Sequence, residues 1–544
     1  MRSWRGNPWA VLLTLSLGFF MTLLDLTVVN VAIPDMIGKL DASLDEMLWV
    51  INVYILVLAA LLVVSGRLGD AFGARTMFVW GVVLFTAASV LCGVAQSPAQ
   101  LIATRVVQAL GGAALMPQTM TIIIAMFPPA RRGAALGVWG AVAGVATIAG
   151  PTLGGLLVRT VGWRWIFFIN VPIGILVLAM TLTLVPAVRR DVRHKLDLPG
   201  VVLAAATLFC LTFALTEGQR YDWNAAIWAL MVGAVVLLVA FLAYQRTQQR
   251  GEPLLPFALF RDRNFAVMSI VSAAVQVGML GLFLPTMIYL QSVLTFSALK
   301  AGLVMAPAMA VSALLSPIAG RMADRIGGKY ILMAGLLVFA AGMAWLAVVV
   351  DPGRTWYALQ PALIVVGVGI GLVFGPMVTV AMFGVEPRMA GAASGVLNTI
   401  RQMGTVIGSA AVGAVLQSRL ASSLHDEAVR QAADLPASVR GPFVAGFSNA
   451  GGGVEIGARQ TGSALTPPPG TPPDLVDRVH HTAVATFGHG LVDAMRPTLV
   501  LPIAVIALGA LACALVRHRP AANPGNTPEM VDSSTSSEPP RLAP

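Results

Sequence analysis

The chain is 544 residues long, with 57% hydrophobic and 11% charged residues, against roughly 45–50% and about 25% in an ordinary soluble domain. Mean hydropathy is +0.81, which excludes a soluble globular enzyme. A disulfide scaffold is excluded too, because Cys92, Cys210 and Cys513 lie far apart in apolar runs and read as packing residues. The formal charge of +10 points either to nucleic acid or to basic loops beside a membrane, and the position of the basic residues decides.

A membrane-spanning helix takes ~20 apolar residues. The first such run, about 10–33, follows Arg2 and Arg5 as in a signal peptide. It is too long for one and no small-residue cleavage site closes it, so it reads as an uncleaved span. Runs of spanning length follow near 48–66, 77–96, 100–125, 134–158 and 165–186, then near 198–217 and 225–244. The last six lie near 265–290, 302–320, 330–350, 358–383, 393–417 and 497–516, making fourteen in all. With the N-terminus inside, the segments assigned to the cytoplasm hold twenty lysines and arginines and the short external loops six. That is the positive-inside bias. It places both termini in the cytoplasm, makes the lipid bilayer the partner, and removes the case for nucleic acid.

The expected fold class is all-α integral membrane. Residues 1–190 form a first six-helix half, 191–263 hold two inserted helices with their linkers, and 264–519 form a second half. Within the second half, 418–495 reads as a long external loop containing Gly451 to Gly453 and a proline run from Pro467 to Pro473. The Ser-, Pro- and Glu-rich segment 520–544 reads as a disordered cytoplasmic tail. His480, His481 and His489 have no Cys or acidic cluster at ligand spacing and read as solvated loop residues. No metal or cofactor is expected.

The two halves repeat each other. GRLGDAFGARTMF at 66–78 recurs as GRMADRIGGKYIL at 320–332, an offset of 254, and GAALG at 133–137 recurs as GAASG at 391–395, an offset of 258. Parallel repeats of this kind build alternating-access transporters with a substrate site at the midplane between the halves. Several pieces then carry a specific resemblance: LDLTVVNVAIP at 24–34, the two loop motifs, RVVQALGGAALMP at 105–117, GVATIAGPTLGG at 144–155, WRWIFFINVPIG at 163–174 and NTIRQMGTVIGSA at 398–410. In this order they make the chain resemble a major facilitator superfamily member of the fourteen-span drug:proton antiporter branch (EmrB/QacA-like). The resemblance implies proton-driven efflux of amphipathic organic compounds such as drugs, antibiotics or dyes across a bacterial plasma membrane. Dedicated export of one natural product, proton-coupled import, and a polytopic membrane enzyme or sensor are the alternatives. The absence of GxxxxGK[ST], HExxH and GxSxG motifs weighs against ATP as energy source and against hydrolase chemistry.

Asp25 is the one carboxylate placed well inside a span, and an intramembrane acid is a functional candidate. Desolvation disfavours a charged carboxylate, so such a group can bind and release protons as a cavity opens to either side. A structural aspartate bonded to neighbouring helices is the competing reading. Arg105 shares a helical face with Gln108; it acts as a fixed charge or as an interhelical anchor, and the resemblance links it to proton coupling. Asn30, Gln108, Asn398 and Gln402 are candidate substrate contacts, the last two in a second-half stretch that also carries Arg401, Thr405 and Ser409. A single membrane acid favours cationic or neutral substrates. Gly66, Arg67, Asp70, Gly73 and Arg75, with Arg321, Asp324 and Arg325, form two gate latches in which the acid meets an arginine or a helix N-terminus. Ala71 stands where the resemblance expects a basic residue, which puts the first latch's charge network in question. Gly150, Pro151, Gly154 and Gly155 form the GPxxGG stretch that the resemblance associates with exporters. It is expected to be a seam along which the halves slide.

Overall fold

The computed structural model describes residues 6–186, 197–218, 220–249, 253–386, 389–449 and 473–517. Arg2, Arg5, Arg189, Arg190, Arg193, Lys195, Arg250, Arg388 and Arg519, the Gly451–Gly453 stretch, the prolines before Pro473 and the tail 520–544 lie outside the described residues.

Among the described residues every regular element is helical. The first group comprises α1 (Pro8–Leu40), α2 (Leu44–Phe72), α3 (Ala74–Val94), α4 (Pro98–Met126), α5 (Pro129–Thr160), the short α6 (Trp165–Phe168) and α7 (Asn170–Leu184). Next come α8 (Leu198–Glu217), α9 (Ala225–Gln248) and the short α10 (Ala258–Arg261). The last group comprises α11 (Arg263–Ile288), α12 (Ala298–Ile326), α13 (Lys329–Val349), α14 (Gln360–Met382), α15 (Ala390–Ala432), α16 (Ala437–Asn449) and α17 (Pro473–Cys513). Helix starts follow local chemistry. Ser43 and Glu46 form a capping box at α2, and Ser97, Asn224, Asp262 and Ser297 each accept a backbone N–H at the head of their helix. Gly73 and Gly327 turn the chain after α2 and α12 at φ 92° and 86°, a region open to glycine.

Among the described residues twelve helices are long and apolar enough to cross a membrane, where the sequence led us to expect fourteen. Two further long helices, α5 and α15, lie outside that twelve. Both are rich in Gly, Ala and polar residues, and both are wedged between other helices: α5 against α1, α12 and α14, and α15 against α2, α11 and α17. Close helix approach selects small residues at such positions.

The reading of 418–495 as a loop is corrected for its described residues. Helix α15 continues to Ala432, α16 follows, and α17 starts at Pro473, so His480, His481 and His489 lie on a helix. At 43 and 41 residues, α15 and α17 outrun a bilayer core by about 30 Å each at ~1.5 Å per residue. Their extensions bury Leu416, Leu420, Leu424, Ala428 and Ala432 against Val479, Ala483, Phe487 and Leu491, with Phe443 and Phe447 of α16 packed on them. An apolar stripe repeating every four residues covers itself by forming this cap.

Helices α8 and α9 are held to each other by Asp197, which accepts from Tyr244 Oη at 2.9 Å and Gln245 Nε2 at 2.6 Å. The buried Glu217 ties α8 to α2 by accepting from Asn52, and Thr212 reaches Met403 of α15. Helix α8 therefore touches both groups.

Candidate functional site

The predicted acid sits at the centre of a closed polar cluster in the first helix group. Asp25 on α1 is fully buried, and the Arg105 guanidinium of α4 donates to its Oδ2. Gln108 Nε2 donates to Asp25 Oδ1 at 2.9 Å and to Ser89 Oγ of α3 at 2.8 Å, while Gln108 Oε1 accepts from Arg105 Nη1 at 2.7 Å. Asn170 Nδ2 of α7 lies 3.4 Å from both Asp25 Oδ1 and Ser89 Oγ. Arg105 Nε donates to the Val50 carbonyl of α2 at 3.1 Å, and its guanidinium stands 4.3 Å from the centroid of the Tyr54 ring. Five helices thus supply one network, and the charge pair inside it is almost fully hydrogen-bonded, the condition under which a buried ion pair is tolerated.

Sequence reasoning brought Asp25, Arg105 and Gln108 forward; it missed Ser89, Asn170 and Tyr54. Asn170 stood inside WRWIFFINVPIG as an amide in an apolar run, which is the signal that could have found it. Cys92, read as packing, is buried and donates from Sγ to Thr104 Oγ1 at 3.3 Å. Of the expected substrate contacts, Gln108 is enclosed in the network and Asn30 is exposed, its amide donating to Leu26 O on its own helix. Asn398 donates to Ser394 O on α15, one turn before the half-buried Gln402.

The two repeated motif pairs turn out to dock on one another crosswise. Asp70, at the end of α2, accepts from the backbone N–H groups of Gly391 at 3.2 Å and Ala392 at 2.8 Å, the first residues of α15. Asp324, at the end of α12, accepts from Gly133 N–H at 2.9 Å and Ala134 N–H at 3.1 Å, in the first turn and a half of α5. Each acid therefore meets the positive end of a helix in the other group. The glycines make this possible: a Cβ on Gly66 would sit 2.5 Å from the Gly391 carbonyl oxygen and 3.0 Å from Gly395 Cα. Gly320 and Gly133 are apposed equally closely.

At Asp70 the contact between the groups includes two backbone N–H groups of α15, and Ala71 adds no charge to it. Arg67 stands 3.6 Å from Asp70. Arg321 and Arg325 are exposed and form no ion pair among the described residues. Arg75 belongs to a different contact, donating to the Leu182 carbonyl of α7 at 2.9 Å.

The seam expectation is corrected in part. Gly150 and Gly154 face α1 of their own group, where a Cβ would strike Thr27 and Val28. The face of α5 that meets the second group carries Gly133, Gly137, Gly140 and Gly144, against Gly320, Ser316, Phe374 and Met309, and Gly155 lies on it beside Leu299. The reason is angular: residues four apart share a face, and the 150/154 pair falls on the side away from the 133/137/144 row.

Two groups of long membrane helices, interlocked at one end by a duplicated contact and enclosing a buried carboxylate, define a two-half transporter. The chain belongs to the Major Facilitator Superfamily, whose family model matches residues 15–409. It is 38% identical over 82% of its length to an uncharacterized MFS-type transporter of Mycobacterium tuberculosis, covering 78% of that protein. It is 34% identical to a multidrug resistance protein of the same species, over 78% of each chain. The match to the tetracenomycin C resistance and export protein of Streptomyces glaucescens spans 93% of this chain and 92% of that one at 32% identity. Among solved structures, a proton:xylose symporter of the superfamily shares the fold with a TM-score of 0.54 at 14% identity, covering 74% of this chain and 87% of that one. The protein is a multi-pass membrane transporter.

Proposed function

We propose that this transporter is a fourteen-span drug:proton antiporter that exports amphipathic organic compounds from the cytoplasm of a bacterium, with both termini inside. Helices α5 and α15 supply two spans in addition to those twelve, and α8 and α9 are the inserted pair. The positive-inside bias supports placing the Asp70 and Asp324 latches at the cytoplasmic face. The relatives named for multidrug resistance and for tetracenomycin C export support efflux and this class of cargo.

The observation that carries proton coupling is the enclosure of Asp25. A proton arriving on its carboxylate cancels one charge of the Asp25–Arg105 pair, and Arg105 keeps its charge because a guanidinium holds its proton. The contact between Asp25 and Arg105 is then no longer one between opposite charges, while Gln108 Oε1 and Val50 O remain as neutral acceptors of Arg105. The network thereby has two arrangements, one for each protonation state, in a bundle whose α1 packs directly on the seam helix α5. Opening of the cytoplasmic latches admits cargo; their closure, as seen here, commits it outward. The test is efflux of a fluorescent compound in inverted vesicles with and without a proton gradient. We expect accumulation only with the gradient; equal accumulation after the gradient is collapsed would remove the antiport reading.

A further inference from the structure

Resting on that exporter reading, the structure assigns a charge preference to the cargo. We propose that the exported compounds carry an ionised acidic group, a carboxylate or phenolate on an aromatic body, which docks on Arg401. The argument begins from charge. Asp25 is matched by Arg105 inside the first group, so it leaves no net negative field for a cation. Arg401, on α15, is half-buried, and among the described residues its guanidinium makes no ion pair and no hydrogen bond. Its one recorded partner is the face of Trp139 on α5, 5.6 Å from guanidinium carbon to ring centroid.

The placement matters as much as the charge. Helix α15 belongs to the second group and α5 to the first, so the contact crosses between the halves. Arg401 lies six residues beyond Gly395 of the latch, about 9 Å along the helix axis. Trp139 is stacked on Phe19 of α1, 4.3 Å between centroids, and Phe19 is again six residues short of Asp25. Arg401, Trp139 and Phe19 thus form a layer just above the closed latch, between the gate and the depth of the proton site. Trp139 Nε1 is buried with no partner in the described residues, leaving a second donor in the same layer. An aromatic face stabilises a guanidinium but leaves its N–H donors unfilled. An unpaired cation between helices is costly, and the cost is relieved when an anion arrives. A planar acid reaching this layer when the halves part would present its oxygens to Arg401, with the Phe19–Trp139 stack, buried in this closed state, beside it. Asn398, one turn before Arg401 on α15, supplies a neutral hydrogen-bonding group.

The test uses two dyes with one skeleton and opposite charge, fluorescein methyl ester (anion) and rhodamine 123 (cation). Equilibrium binding to the full chain in lipid nanodiscs is read by fluorescence anisotropy at mildly alkaline pH, and gradient-driven flux is read in proteoliposomes. The wild type should bind the anion at least about tenfold more tightly, the discrimination expected of one charge-assisted hydrogen-bonded contact. Arg401→Gln should erase that preference, and Arg401→Lys should keep the sign of it. Equal binding of the two dyes, preference for rhodamine 123, binding of neither, or an unchanged preference in Arg401→Gln would overturn the assignment. Because the wild-type comparison needs no variant, misfolding of either variant leaves the test intact. Anion preference without gradient-driven flux would leave Arg401 as an anion site and remove the exporter reading instead.

Discussion

Replacing Asp70 by Asn probes the latch without changing its shape. The carboxylate is 1% exposed and accepts two backbone N–H groups at the head of α15. Asparagine keeps one acceptor oxygen, loses the charge, and turns an N–H2 group toward a backbone donor. Hydrogen bonds to a charged group contribute ~1.5–3 kcal/mol against ~0.5–1.5 for neutral ones, and the helix terminus adds ~0.3–1 kcal/mol for an anion. The closed state should therefore lose about 1–3 kcal/mol, shifting the closed-to-open ratio roughly 5- to 150-fold. Asp324→Asn should shift it less, because Asp324 is only half-buried and solvent screens part of its charge. Spin labels at Phe72 and Ile326, exposed at the ends of α2 and α12, report the separation of the halves at this end by pulsed electron resonance. Longer distances should become populated in each variant and dominate in the double variant, since both latches act on one equilibrium. Distance distributions unchanged from wild type in both single variants would refute the latch.

Gly137→Ala should block closure at the same end, because a Cβ there collides with the Ser316 carbonyl across the halves; the same spin-label pair measures it. Gly154→Leu presses on Val28 within one half, so it should lower the melting temperature, by overpacking of about 1–3 kcal/mol, with little change in the closed-to-open ratio. Phe443→Ala, at a position 3% exposed, should cost about 3–5 kcal/mol of cap stability, seen as faster hydrogen exchange in α16 with the membrane helices unchanged. A cysteine at Ser463 should react with an impermeant thiol reagent outside intact cells and one at Ser534 should not; reversed labelling would invert the proposed topology.

The sequence exposed what repeats and what is chemically expensive. Asp25 and Arg105 were visible because charge in an apolar run is rare, and the latches because two motifs recurred at nearly one offset. That the motifs bind each other crosswise was not readable, since neither carries a mark of its partner. The 418–495 segment misled because charges, histidines and a Gly/Pro-rich centre mask the flanking helices. Leu416, Leu420, Leu424, Ala428 and Ala432 nonetheless repeat every four residues, the signal of an amphipathic helix. The faces of α5 were ambiguous for a different reason. Glycine occurs on several sides of that helix, and glycine alone does not say which side meets which neighbour. Arg401 was legible as a polar residue but not as an unpaired one, because pairing is a property of the packed helices.

Proton coupling through Asp25 is the central claim, and it is tested most directly by comparing two transport modes in one preparation of Asp25→Asn. In proteoliposomes, gradient-driven uptake requires a proton to be carried, whereas exchange of labelled for unlabelled cargo without a gradient requires only that the halves rock. Asparagine retains the volume and the hydrogen bond from Gln108 but cannot titrate. Gradient-driven uptake should fall to the level of empty vesicles while exchange persists. Gradient-driven uptake at the wild-type rate would contradict the account.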